Sequence, residues 1–232
     1  MTVLIGVRCS DGVVIGADSA ATSATGNIHL LKLGYDKIVI VGGRVIVAGT
    51  GQIGLGQRFA EQVKLAHDQK LFQSKPVEVA KQLSAMGRND FSQTGATMGS
   101  YGALVAAPAD GVGQLIEFAT ADFQPELKNG KIHFVSMGSG QMLAEPFMSF
   151  VDRTFWKSKA PDVKTALFGV HWALSAIMHL TTQFDWRISC AWQRTSQTRF
   201  STTKQKRSRT LRLRAGMAPP IAATAARFGC AA

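Results

Sequence analysis

Met1-Thr2-Val3-Leu4-Ile5-Gly6-Val7-Arg8-Cys9-Ser10-Asp11-Gly12-Val13-Val14-Ile15-Gly16-Ala17-Asp18 is the stretch on which the reading of this chain turns. The apolar run from Val3 to Val7 is too short for the core of a secretion signal, and Arg8, Ser10 and Asp11 interrupt it. It reads as a strand, with Val13 to Ala17 as a second. Asp11-Gly12 between them predicts a two-residue hairpin, because the tight turn needs positive φ and glycine adopts it without penalty. Pairing Ser10 with Val13 sets Ile5 opposite Asp18, roughly 10 Å from Thr2 at ~3.3 Å per residue. A third group could bridge the two.

Thr2 follows the first methionine directly. Removing a methionine ahead of so small a residue leaves a hydroxyl and a free α-amine on one residue. An alcohol must lose its proton to a base as it attacks, and an amine with an unperturbed pKa of about 7.7 to 8.0 is already partly neutral near neutrality. Such a residue carries its own base.

Outward from the hairpin, residues 19–27 read as a small polar loop and Ile28 to Leu33 as a short strand. Ile38 to Val41 and Val45 to Ala48 form another hairpin around Gly42-Gly43. Gly49-Thr50-Gly51 breaks the strand pattern. Ile53, Leu55, Phe59, Val63 and Ala66 then recur at helical spacing, and Pro76 opens a second helix carrying Val79, Leu83 and Met86 on one face. The order repeats. Strands are expected over Tyr101 to Ala107, Gln114 to Thr120 and Ile132 to Met137, and Gly138-Ser139-Gly140 ends the last of them. A helix containing Pro146 follows, and Asp162 caps a final one from Val163 to Leu180. Strands followed by helix pairs, twice over, give an α+β fold.

A chain of 232 residues with 46% apolar content is long enough for one domain with a substantial core. No apolar run is long enough to cross a membrane and no secretory signal precedes the hairpin, so a cytoplasmic protein is expected. Cys9, Cys190 and Cys230 are odd in number and widely spaced, which suits neither a disulfide framework nor a metal site, and the five histidines show no ligand pattern. The net charge of +11 is concentrated at one end. Up to Asp185 there are 16 Lys and Arg against 15 Asp and Glu, a net of +1, and from Trp186 onward 10 against none. A nucleic-acid partner is therefore not expected from the body of the protein, and residues 183–232 read as a basic, low-complexity, disordered tail behind a domain spanning 2–182. A shifted reading frame would give the same abrupt loss of periodicity and would leave the domain without an edge.

With Gly16-Ala17-Asp18-Ser19 closing the hairpin, the opening resembles the N-terminus of proteasome-type β subunits. In that family a mature N-terminal threonine is followed sixteen residues later by an aspartate, the spacing of Thr2 and Asp18. Within the family it looks like the bacterial single-subunit relatives: the HslV type, the Anbu type and the betaproteobacterial proteasome homologues. The likeness covers roughly residues 2 to 180. It implies the N-terminal-nucleophile (Ntn) hydrolase fold, a four-layer αββα sandwich of two antiparallel sheets flanked by helix pairs; periodicity alone gives only α+β.

The resemblance also implies roles. Thr2 would be the nucleophile and, through its amine, the base. The family's lysine, which lowers the pKa of that amine, corresponds to Lys37, with Lys32 as a rival five residues earlier. Asp18 would hold Lys37, since a lysine so placed is costly to keep charged without a carboxylate. Gly49 matches the backbone donor to the oxyanion, and Ser139 matches the serine that hydrogen-bonds the amine and helps move the proton. An extended substrate would add itself beside a strand edge near residues 19–22 and 47–51.

Two positions depart from the family pattern. Ala20 stands where many members have arginine, and Asp185 lacks the context of the family's second aspartate. The expected activity is that of a threonine-type endopeptidase cleaving peptides or unfolded proteins inside a homo-oligomer of stacked rings. An ATPase unfoldase is admitted as a partner, and no metal or organic cofactor is implied. A ring-forming homologue that has lost catalysis, and an Ntn amidohydrolase of a small substrate, remain the alternatives.

Overall fold

Alternation along the first two strands decides the layering. In the computed structural model, β1 (Leu4–Arg8) and β2 (Gly12–Asp18) send Leu4, Val13, Ile15 and Ala17 to one buried side, while Ile5, Val7 and Val14 go to the other. A strand apolar on both faces must be covered on both. The structure describes residues 2–25, 28–33, 35–97, 99–109, 112–181, 186–194 and 197–205.

Along the chain, β3 (Ala20–Thr25) and β4 (Ile28–Leu33) pair, among the described residues, only with each other, and β5 (Ile38–Val41) turns into β6 (Val45–Gly51). At that turn Gly42 and Gly43 have φ of 57° and 64°, and the amide of Arg44 donates to the carbonyl of Val41 at 3.1 Å. The glycine logic of the sequence holds there. Two helices follow, α1 (Ile53–Asp68) and α2 (Pro76–Gln93), the second with proline at its first position as expected. Their buried stripes, Leu55, Phe59, Val63 and Ala66 on α1 with Val79 and Leu83 on α2, match the sequence periodicity.

The second half runs β7 (Tyr101–Ala109), β8 (Val112–Phe118), β9 (Pro125–Leu127), β10 (Phe134–Met137), α3 (Gln141–Val151), α4 (Val163–Thr181), β11 (Trp186–Arg194) and β12 (Gln197–Gln205). Helix α3 starts ahead of Pro146 and passes through a single π-helical turn over Asp152–Trp156. Asp162 caps α4: its Oδ1 accepts from the amide of Thr165 at 2.7 Å.

One antiparallel sheet has the order β10-β1-β2-β11-β12 and the other β5-β6-β7-β8-β9. Leu4, Ile15 and Ala17 of the first meet Ile46, Leu104 and Leu115 of the second in the central core. The outer face of the first sheet packs on α3 and α4, and that of the second on α1 and α2. The result is the expected four-layer αββα sandwich. Gly16 is needed for the outer contact, since a Cβ there would run into Val170 and Leu174 of α4.

Three expectations are corrected. The first hairpin pairs Arg8 with Val13, so Ile5 faces Gly16 rather than Asp18, and the count carried outward places Asp18 beside Val3. Neither Asp11 nor Gly12 has positive φ. The carboxylate of Asp11 is instead engaged by the amide of Val163 at 2.7 Å, and the amide of Ser10 donates to Pro161 at 2.8 Å, which ties the loop to the start of α4. Secondly, residues 20–25 form strand β3 within the segment read as a loop. Thirdly, the sheet continues past the expected domain edge at residue 182. Strand β11 runs antiparallel to β2, with Ile188, Cys190 and Ala191 buried and Gln193 only 2% exposed. Its basic residues sit near acids distant in sequence: Arg194 Nε lies 3.3 Å from Asp11 Oδ2, and Arg187 Nη2 lies 3.9 Å from Asp36 Oδ1. The remainder of the expected tail, 206–232, lies outside the described residues.

Candidate active site

The corrected register brings the start of the chain to Asp18. The amide of Val3 donates to Asp18 Oδ1 at 2.7 Å and the amide of Asp18 returns to the carbonyl of Val3 at 3.3 Å, which fixes Thr2 just beyond the sheet. On the other side of Thr2 lies the connection from β10 to α3. The amide of Gly140 donates to the carbonyl of Thr2 at 3.0 Å, and the nitrogen of Thr2 donates to Ser139 Oγ at 3.0 Å. Gly138 has φ 93°, and a Cβ there would meet the carbonyl of Thr2 at 2.5 Å. Only glycine lets this segment pass so close.

Lys37, at the entry to β5, completes the constellation. Its Nζ donates to Asp18 Oδ1 at 2.8 Å and to Thr2 Oγ1 at 3.1 Å. Both side chains are buried, at 4% and 0% exposure. Burial lowers the pKa of Lys37 despite the opposing charge and hydrogen bond of Asp18. Desolvation of a charged amine outweighs the partial compensation that one carboxylate supplies. The outcome is an ammonium that is held in place yet readier than an ordinary lysine to give up its proton.

Thr2, Lys37, Ser139 and Gly49 all line one cavity of about 290 Å³, whose walls also include Val47, Tyr35 and Tyr101. Gly49 lies on β6 opposite Ala103 of β7. On the opposite side of β6, β5 begins with Ile38 facing Ala48, so among the described residues no strand pairs with Gly49, Thr50 or Gly51 on that side. An edge of main-chain donors and acceptors is thus open beside Thr2.

Two sheets with outer helix pairs, and a threonine, lysine, aspartate and serine gathered at the head of β1, narrow the comparison to one family. Its model, described as proteasome subunit, matches residues 2–155. The chain belongs to the proteasome subunit family. No curated protein matches it.

In this proteasome-family chain the five residues singled out from sequence are therefore arranged as follows. Thr2, Asp18, Lys37 and Ser139 form one continuous hydrogen-bonded group, and Gly49 lies on the wall of the same cavity. The rival Lys32 is on β4, paired with Ala21, and its side chain lies outside what is described. Asp185 is outside the described residues as well. Sequence reasoning passed over Ser19: its amide donates to the carbonyl of Arg187 and its Oγ accepts from the amide of Arg187, both at 2.9 Å. This clamp joins β2 to β11 immediately after Asp18 and holds the carboxylate at its level. Nothing in the local sequence marks it, because its partner is 168 positions away. Tyr35 and Tyr101 were passed over as well, since it is the fold that brings them into the lining of the cavity beside Thr2.

Proposed function

We propose that the protein is a threonine-type Ntn endopeptidase, of the bacterial single-subunit kind, which acts on peptides or unfolded proteins in the cytoplasm. The observation that carries this reading is the bridge made by Lys37 between Asp18 Oδ1 and Thr2 Oγ1, with Ser139 on the nitrogen of the same threonine. Loss of Met1 turns that nitrogen from an amide into an amine. The neutral amine, kept so by the positive charge of Lys37, takes the proton of Oγ1 as Oγ1 attacks the peptide carbonyl, with Ser139 relaying it. The oxyanion that forms is met by the backbone N–H of Gly49. Collapse breaks the C–N bond, the leaving amine departs with the proton, and an ester on Thr2 remains. Water, deprotonated by the same amine, then cleaves that ester and restores the hydroxyl. The open edge at Gly49–Gly51 supports an extended substrate pairing main chain to main chain.

The proposal includes a homo-oligomer of stacked rings enclosing the sites. The exposed aromatic side chains of the outer layer support burial against another copy. Phe155 and Trp172 touch at 5.8 Å and Phe168 and Trp172 at 6.0 Å, all three exposed, while α3 and α4 carry only Glu145 and Lys164 as charged side chains. An unfoldase ATPase is the partner that such a chamber would use. A ring-forming homologue without catalysis is the second reading, supported by the missing context of the family's second aspartate at Asp185.

Mass spectrometry of the purified protein before and after a peptide epoxyketone decides between them. The endopeptidase reading expects loss of Met1 and one adduct on Thr2, absent in Thr2→Ala. A chain that keeps Met1 or takes no adduct overturns it.

A further inference from the structure

Tyr101 opens β7 with its side chain almost wholly inside the protein, at 5% exposure. Its ring is held among Phe59, Phe91 and Phe123 at centroid distances of 6.1, 5.8 and 6.1 Å. Three aromatic neighbours leave it no room to swing. The residue nonetheless lines the cavity beside Thr2. Its hydroxyl occupies the space that a side chain on Gly49 would enter, and a Cβ on Gly56 would stand 3.5 Å from it. Both glycines are walls of that cavity, so the missing side chains are what leave the phenol at its floor.

Among the described residues this hydroxyl has no hydrogen-bond partner, and it is not sealed off from the cavity. Burial, and secondarily the nearby Tyr35, push its pKa up, so it stays a protonated donor. A ligand that fills the cavity strips water from this hydroxyl, and that cost is recovered only when a group of the ligand supplies a partner. The rest of the lining tells what sort of group. Val39, Val47 and Ala60 are apolar, Gln52 and Gln57 are neutral amides, and the single charged side chain in the lining among the described residues, Lys37, is already held by Asp18. Among those residues a basic side chain would find no counter-charge inside. A cavity of about 290 Å³ has room for a side chain the size of tyrosine.

We propose that Tyr101 is a specificity-determining residue, selecting at the position before the cut a long, neutral side chain whose tip makes a hydrogen bond, such as tyrosine or glutamine, over an apolar one of equal size. This rests on the reading of Thr2 as the group that attacks the substrate, and it adds the substrate class. A site built to hydrogen-bond a substrate group rejects the analogue that lacks it, because its own buried group is then left unpaired.

The test separates binding from chemistry. In the full-length Thr2→Ala protein, affinities are measured calorimetrically for two uncut hexapeptides that differ only in tyrosine or phenylalanine at that position. The tyrosine peptide is expected to bind roughly tenfold tighter. In Thr2→Ala combined with Tyr101→Phe, which keeps the ring and its packing, the ratio should fall to about one while the phenylalanine peptide changes less than about twofold. Equal affinities in the first protein, binding of neither peptide, or a preference that survives Tyr101→Phe overturns the inference. The same peptides are incubated with the unmutated protein in parallel. Failure to cleave there overturns the endopeptidase reading, whereas the affinity ratio alone judges Tyr101.

Discussion

Lys37 Nζ stands 2.8 Å from Asp18 Oδ1, and neither side chain reaches solvent to any extent that would hydrate its charge. The pair is a local device rather than a source of stability, since desolvation of two ions roughly cancels their attraction. Removing one member leaves the other uncompensated. Asp18→Asn, which keeps an acceptor for the amide of Val3, should therefore destabilise the fold by about 3 kcal/mol, and replacing Lys37 by Met in the same chain should restore part of the loss. Urea denaturation of the unmutated protein and the two variants measures it; a double variant no more stable than Asp18→Asn would refute the coupling.

The pH dependence of hydrolysis follows from the same geometry. The base must be neutral, so kcat/KM should rise with pH as the α-amine of Thr2 loses its proton. The Lys37 ammonium beside it disfavours a second positive charge and moves that rise below the unperturbed range of about 7.7 to 8.0. At alkaline pH the rate should fall as Lys37 itself deprotonates, and because burial lowers its pKa the fall comes at lower pH than for an exposed lysine. A pH–rate profile with its rising limb above about 8 would contradict this order of events.

Gly138 and Gly43 share positive φ but not surroundings: a Cβ on the first meets the carbonyl of Thr2, whereas the second has open space around it. Gly138→Ala should cost more than about 1 kcal/mol and slow epoxyketone labelling by displacing Thr2, while Gly43→Ala should cost only the backbone term and leave labelling unchanged. The labelling rates of the two proteins, compared side by side, are the measurement.

Ending the chain at Asp185 would remove β11 and β12, uncover the edge of β2 and free Ser19 from Arg187. Such a chain should be recovered aggregated, or soluble only with its near-ultraviolet circular dichroism lost. A monodisperse, folded product would mean that β11 is not needed to complete the sheet.

Much of this architecture was legible from residues alone. The apolar stripes of α1 and α2, the turn at Gly42-Gly43 and the cap at Asp162 each depend on neighbours within a few positions, and each lies where the local pattern puts it. The register of the first hairpin was not legible. Asp11-Gly12 has the composition of a tight turn, but the Asp11 carboxylate is drawn to the amide of Val163 and the side chain of Arg194, and that competition is invisible without the third dimension. Strand β11 was hidden for a related reason. A strand covered on both faces shows no clean alternation, and the charges of Arg187 and Arg194 need no burial, since their side chains stay 34% and 44% exposed while Ile188, Cys190 and Ala191 between them are buried.

Residue patterns along the chain were enough for the helices and most strands, though not for β3, β9, β11 or β12, and for the likeness to proteasome β subunits and the identity of the threonine, aspartate, lysine and serine expected to work together. Tertiary structure alone decided that Asp18 lies opposite Val3, that Lys37 reaches both Asp18 and Thr2, that β11 closes the sheet, and that the hydroxyl of Tyr101 opens into the cavity beside Thr2. The physical reason is the same throughout. Helix, turn and cap energies are set by neighbours along the chain, whereas strand register and buried charge pairing are settled by whichever distant donors and acceptors packing brings within about 3 Å.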